Sequence, residues 1–243
     1  MDKLCALHPL TNSGHILLGP IDRMLSGVRM HLESLYARAG PTGAPVPVGT
    51  DLAGALAFLR SAVDGPFPSR FLLLPAQGAH TVVFNNAWRS QGLFSMARAL
   101  TITTKVEDIF FRAQPNTIHK GNDRLRGQYG AYQLIRVADG QIVRLIELVN
   151  DGGRWSFATR GEPFSFEDTN QYHAPKKVNR LTEELLKKYL TAMNMFPFRE
   201  EFYTVHRGQP AVGIEINISQ PQELARLDPK PLEKIQDEYG PFD

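Results

Sequence analysis

The chain has 243 residues, 42% of them hydrophobic and 21% charged, and 27 basic against 25 acidic side chains give a net charge of +2. This is an ordinary globular composition, and it excludes a disordered chain, a coiled coil, a collagen-like repeat and a disulfide scaffold. The length fits one large domain or two small ones and allows burial of about 70–75% of the surface the unfolded chain exposes.

The single cysteine, Cys5, excludes an internal disulfide and a cysteine-built zinc site and fits a reducing cytosol. Met1 to Pro9 lack a basic region followed by a long apolar run, and no stretch approaches the ~20 apolar residues of a membrane span. A cytoplasmic protein without a membrane anchor is expected. Residues 1–100 carry 8 basic and 5 acidic side chains, residues 101–243 carry 19 and 20. Charge in the second part is denser but mixed, which argues against nucleic acid as a partner, since such surfaces are one-signed.

Met24, Leu25, Val28, Leu32, Leu35 and Tyr36 recur at helical spacing and predict a helix from Asp22 to about Arg38. The Pro- and Gly-rich residues 39–49 then predict a surface loop without helix or ladder. Asp51 is placed as the N-cap of a second helix carrying Leu52, Leu56, Leu59 and Val63 on one face. Phe71 to Leu74, ended by Pro75, and Thr81 to Phe84 predict a hairpin about Gln77-Gly78. Ala87 to Leu100 predict a helix weakened by Gly92, and Leu100 to Thr104 and Asp108 to Arg112 predict strands. Tyr132 to Val137 and Ile142 to Val149 flank Asp139-Gly140, a strong turn signal. A second turn at Asn150 to Gly153 leads into Arg154 to Thr159, which completes a meander. Residues 160–181 read as irregular. Thr182 caps a helix with Leu185, Leu186, Tyr189, Leu190 and Met193 on its buried face, and Glu183, Glu184, Lys187 and Lys188 suit its dipole. Phe202 to Val205 and Ala211 to Ile218 predict late strands, and the proline-bearing tail predicts one or two short helices.

Strands in hairpins and helices in separate blocks predict an α+β protein with antiparallel sheet rather than a doubly wound parallel one. The chain is expected to form a single compact unit over 1–243, with two lobes of about 1–104 and 105–243 as the other organisation.

Phosphate-binding loops of both common kinds are absent, as are the HExxH and GxSxG patterns. No cofactor is implied. His15, His31, His80, His119, His173 and His206 are scattered, and each reads more readily as surface or hydrogen-bonded core than as catalytic. Glu162, Glu167 and Asp168 are the nearest thing to a carboxylate cluster, but they fall in polar loop sequence, where solvation gives no push on pKa values. Arg112 to Arg126 hold Arg112, His119, Lys120, Arg124 and Arg126 ahead of Tyr129 and Tyr132. Such a stretch suits single-stranded nucleic acid, yet Asp123 interrupts it and a polar connecting loop is the default. Trp88, Phe94 and Trp155 read as packing residues.

One series of motifs resembles a known group. It runs Asp151-Gly152-Gly153-Arg154-Trp155-Ser156-Phe157, then Gly161-Glu162-Pro163-Phe164-Ser165-Phe166-Glu167, Tyr172, Lys177 and Arg180. It continues with Leu185-Leu186, Tyr189-Leu190 and Phe202-Tyr203. With the earlier Leu74-Pro75 and Thr81-Val82-Val83-Phe84-Asn85-Asn86, this order resembles bacterial accessory proteins that include immunity proteins encoded beside secreted antibacterial toxins, type VI secretion effectors among them. The resemblance covers scattered pieces of residues 70–205. Its motifs are structural (a turn, a tryptophan strand, a capped helix) and bring no catalytic residue.

The resemblance implies a non-enzymatic protein that neutralises a cognate toxin by stoichiometric contact. Asp151, Glu162, Glu167 and Asp168 are then the partner-binding candidates, steering association with a basic groove. A hydrolase with a dispersed site and a nucleic-acid-binding accessory protein are the alternatives.

Overall fold

The computed structural model describes residues 4, 8, 10–36, 43–63, 69–87, 93–120, 125–205, 209–216 and 229–239. In chain order the elements are β1 (Ser13–Leu17), α1 (Ile21–Tyr36), β2 (Val46–Pro47), α2 (Leu52–Ala57), β3 (Ser61–Val63), β4 (Arg70–Ala76), β5 (His80–Asn85) and α3 (Leu93–Thr104). Then follow β6 (Asp108–Gln114), β7 (His119–Lys120), β8 (Leu125–Arg126), β9 (Ala131–Ala138), β10 (Gln141–Asp151) and β11 (Arg154–Arg160). The last are α4 (Glu183–Ala192), β12 (Val212–Glu215), β13 (Pro229–Pro231) and α5 (Leu232–Tyr239). Nine strands make one sheet in the order β11-β10-β9-β6-β1-β5-β4-β12-β2, and each adjacent pair in it is antiparallel. The protein is α+β.

Alternation along the strands divides the core between the two faces of the sheet. Ile16, Leu74, Phe84, Phe111, Leu134, Ile146 and Leu148 pack with Leu52 and Leu56 of α2, Leu186 and Tyr189 of α4, and Leu232 and Ile235 of α5. Leu17, Leu73 and Val83 pack on the opposite face with Met24 and Val28 of α1 and Met96 and Leu100 of α3. Phe110, Ile135 and Val137 extend that second face towards β10. The N–H of Leu18 donates to the carbonyl of Glu107 at 2.9 Å, so the chain enters α1 at the same end of the central strands where it leaves α3. The two helices therefore run antiparallel, and the N-terminal end of α3 lies towards the opposite end of those strands.

The predicted meander forms as β9-β10-β11, with Asp139 and Gly140 both at positive φ (49° and 75°) in its first turn. Asp51 caps α2 by accepting from the Gly54 N–H at 2.8 Å. Thr182 caps α4, its hydroxyl accepting from the Leu185 N–H at 3.3 Å. The hairpin β4-β5 forms, but β4 runs through Pro75 to Ala76. The β12 ladder covers only Arg70 to Leu73, so the missing N–H of Pro75 costs no ladder bond.

Four expectations are corrected. Leu100 to Thr104 are the last turn of α3, not a strand. Their β-branched side chains suit a strand, but Met96, Leu100 and Thr104 share one helical face. The Thr101, Thr103 and Thr104 hydroxyls donate back to the carbonyls of Arg98, Ala99 and Leu100, so each finds an acceptor inside the helix. The helix after Asp51 ends at Ala57, and Ser61 to Val63 pair with Pro229 to Pro231 instead. The loop over 39–49 holds the two-residue edge strand β2, whose proline is tolerated because one side of it is unpaired. Phe202 ends a short 3-10 turn, and Tyr203 makes only an isolated bridge to Ala76. Of the predicted elements, the start of the helix at 87–100 and the end of the strand at 211–218 fall partly outside the described residues.

Candidate partner-binding surface

The irregular residues 161–182 lie over the sheet face formed by β9, β10 and β11, and one buried ion pair ties them down. Arg144 shares its side of β10 with Ile146 and Leu148, so it points inward and is only 3% exposed. The Arg144 Nε donates to Glu167 Oε1 at 2.8 Å, and Nη2 makes a second, shorter bond to Oε2. Nη1 donates to the carbonyls of Arg160 and Gly161 at 3.1 and 2.8 Å. Glu167 also accepts from the Phe164 N–H at 2.9 Å and the Tyr172 hydroxyl at 2.7 Å. Bidentate Arg–carboxylate bonds of this kind are short, directional and strong.

The electrostatics follow from that geometry. Burial alone would lower the Arg144 pKa, but the hydrogen bonds and charge of Glu167 outweigh it and leave the guanidinium above its ordinary value. Burial, then the hydrogen bonds to Tyr189 and Glu167, push the Tyr172 phenol well above the usual tyrosine range. The Asp168 N–H donates to the Tyr189 hydroxyl at 2.9 Å, which ties the loop to α4. Aromatic contacts finish the attachment. Phe164 stacks on Phe166 at 5.0 Å, Phe166 meets Tyr189 at 6.0 Å and Phe157 meets Tyr172 at 5.3 Å. Arg136, held by Glu107 through two 2.8 Å bonds, sits over the Phe164 ring.

Two clefts flank α4. One of about 250 Å³ opens between the loop and the helix start, lined by Asp168, Gln171, Asn179, Thr182, Glu184 and Lys188. The other, about 310 Å³, lies beyond the helix end among Leu190, Met195, Phe196 and Phe198. Lys187 and Arg199 stand at that cleft with their charges 5.4 and 5.2 Å from the Phe198 and Phe196 ring centres. Phe196 and Phe198 are half-buried there and Arg199 is exposed; aromatic and arginine side chains are common anchors of protein interfaces.

The four acidic candidates do not form one patch. Glu167 is not solvated: its side chain is 0% exposed and spent on Arg144. Asp151 is exposed as the last residue of β10, opposite Arg154 and at the far end of β11 from Glu162, about 20 Å away by strand rise. Glu162 and Asp168 are exposed on the loop layer. Trp155 packs against the core as expected, and so does Phe157.

Of the histidines, His15 is 1% exposed and bonded through Nδ1 to Asp108 Oδ2 at 2.8 Å, beneath α3 and against the Phe110 ring. Burial pulls the pKa of His31 and of His80 down. His173 is exposed, and His206 lies outside the described residues. Among the described residues no group of three His, Cys, Asp or Glu side chains is arranged to hold a metal ion. No helix among them is long and apolar enough to cross a membrane.

Searches against protein-family models, curated proteins and solved structures find no match to this chain.

Proposed function

We propose that the chain is a protein-binding module that neutralises a secreted antibacterial toxin by direct, stoichiometric contact in the cytoplasm of the producing cell. The observation that carries this reading is the loop layer 161–182. Long connections inside an ordered domain are usually functional; this one holds only two short 3-10 turns, Gln171–His173 and Lys177–Asn179, and is fixed in place by the closed Arg144–Glu167–Tyr172 network. A surface held rigid before association avoids the ordering cost that binding otherwise pays. The sequence resemblance to immunity proteins supports a toxin as the partner, and the cleft beyond the end of α4 supplies Phe196, Phe198 and Arg199 as anchors.

The test is coexpression with the toxin encoded by the neighbouring gene, followed by calorimetry on the purified pair. Survival that depends on this chain and a 1:1 complex are expected. The exposed acids Glu162 and Asp168 speed association with a basic partner, so E162K/D168K slows association about tenfold or more at low salt and much less at high salt. Survival without this chain, or a charge-reversed pair that associates as fast as wild type, overturns the proposal.

A further inference from the structure

On the α1/α3 face of the sheet, Arg112 is half-buried and pairs with no carboxylate among the described residues. Arg112 lies on β6 with Asp108 and Phe110 on the same side, and its register partners are Ser13 on β1 and Gln133 on β9. Glu147 on β10 is next in the row, so Ser13, Arg112, Gln133 and Glu147 cross four adjacent strands at one level. The Arg112 Nε is fully buried and has no hydrogen-bond acceptor. Its guanidinium rests 5.8 Å from the centre of the Phe110 ring.

The nearby acids are already committed. Glu147 accepts from the Gln133 amide at 3.0 Å and stands two strands from Arg112, about 10 Å by strand spacing. Asp108 is bonded to His15 and sits four residues along the same strand, about 13 Å away. A buried donor without an acceptor costs free energy that a bound acceptor recovers. Burial here pulls the Arg112 pKa down to about 10.

A second, independent feature converges on the same place. Phe94, in the first turn of α3, meets the Phe110 ring edge-on at 6.3 Å, so the Phe110 ring is shared by Arg112 and the start of a twelve-residue helix. The first turn of α3 has no acidic residue. The partial positive charge of a helix N-terminus and its unbonded N–H groups favour an oxyanion. Arg112 as a whole remains partly exposed, which leaves a path from solvent.

We propose that Arg112 anchors a binding site for a small oxyanion, a phosphate or carboxylate group, on the α1/α3 face of the sheet at the N-terminal end of α3. The arginine fork grips two oxygens of such a group, and the start of α3 faces the remaining charge. The site lies on the opposite face of the sheet from the loop layer 161–182, so it is separate from the proposed partner surface.

The test is thermal unfolding and calorimetry of the full chain in sodium phosphate, sodium acetate or sodium chloride at matched ionic strength and pH, for wild type and R112M. Wild type gains a saturable rise in Tm in phosphate or acetate over chloride, about 5–10 °C at a hundredfold excess over Kd, with one site per chain. Phosphate alone acting identifies a phosphate-bearing ligand, and acetate alone a carboxylate. R112M loses the response and in chloride melts at or above the wild-type temperature, because a buried donor without an acceptor has been removed. The proposal is overturned by no response to either anion, by an equal response in R112M, or by an R112M chain that melts lower or fails to fold in chloride.

Discussion

Replacing Glu167 with Gln tests the bond that holds the loop layer in place. The substitution keeps size and one acceptor oxygen but removes the charge, leaving the Arg144 guanidinium, 3% exposed, without its counter-ion. The carbonyls of Arg160 and Gly161 still accept from Nη1, so the loss falls on the two Arg144 bonds to Glu167 and on whichever of the Phe164 N–H and Tyr172 hydroxyl bonds shares the replaced oxygen. Removing one member of a buried pair costs about 3–5 kcal/mol. A chain of this size loses roughly 2–4 °C per kcal/mol, so Tm falls by about 6–20 °C. Thermal circular dichroism measures the shift, and hydrogen exchange locates it. Amides of residues 161–182 exchange faster in E167Q, while those of the central strand β1 do not. The double variant R144M/E167L buries no charge and recovers most of the loss, to within about 2 kcal/mol of wild type. An E167Q protein within about 1 kcal/mol of wild type, or a double variant as unstable as the two single losses summed, refutes the reasoning.

Two further outcomes follow from the opposite face of the sheet. Burial raises the Asp108 pKa, outweighing the opposing charge and hydrogen bond of His15, so the folded chain holds this proton more tightly than the unfolded one. That contribution to stability is complete below about pH 3.9 and is lost as pH rises through the raised folded value. D108N removes it, so the stability advantage of wild type over D108N shrinks as pH rises from 4 towards 7 in urea titrations, and an advantage that grows contradicts the assignment. Gly27 marks the closest approach of α1 to α3, where an added Cβ meets Thr104 Cγ2 at 2.6 Å and Leu100 Cδ2 at 3.0 Å. Alanine gains about 1 kcal/mol of helix propensity, but forced repacking costs about 1–3 kcal/mol. G27A therefore lowers Tm, and a raised Tm shows that the helices shift apart freely.

The meander, both capped helices and the first hairpin were legible because turn chemistry and period agreed locally. Two central features were not. Strand β1 occupies the middle of the sheet, yet Ser13-Gly14-His15 offers little strand propensity, and its pairing partners lie some seventy to a hundred residues away. The last turn of α3 reads as a strand from Thr101-Ile102-Thr103-Thr104, because propensity does not register the back-bonding hydroxyls or the face shared by Met96, Leu100 and Thr104. In both, tertiary packing overrides the local signal.

The charged sites show the same limit and also the signal that reaches past it. Glu167 was grouped with Glu162 and Asp168 by nearness in the chain, which says nothing of direction. Its partner stands 23 residues earlier, on the inward side of a strand whose alternation was plain: Arg144 keeps step with Ile146 and Leu148. Arg112 keeps step with Phe110 in the same way. An arginine in phase with core residues starts towards the core, and any of its donors that become buried require acceptors. For Arg144 the chain provides Glu167 and two carbonyls, and the result is a staple that fixes a surface loop. For Arg112 the buried Nε has no acceptor, and a counter-ion from outside the chain satisfies the same requirement. One alternation rule thus separates an arginine that organises the protein from an arginine that awaits a ligand. The discriminating quantity is the response to charge removal: E167Q, which orphans the first, destabilises the chain, whereas R112M, which deletes the second, does not.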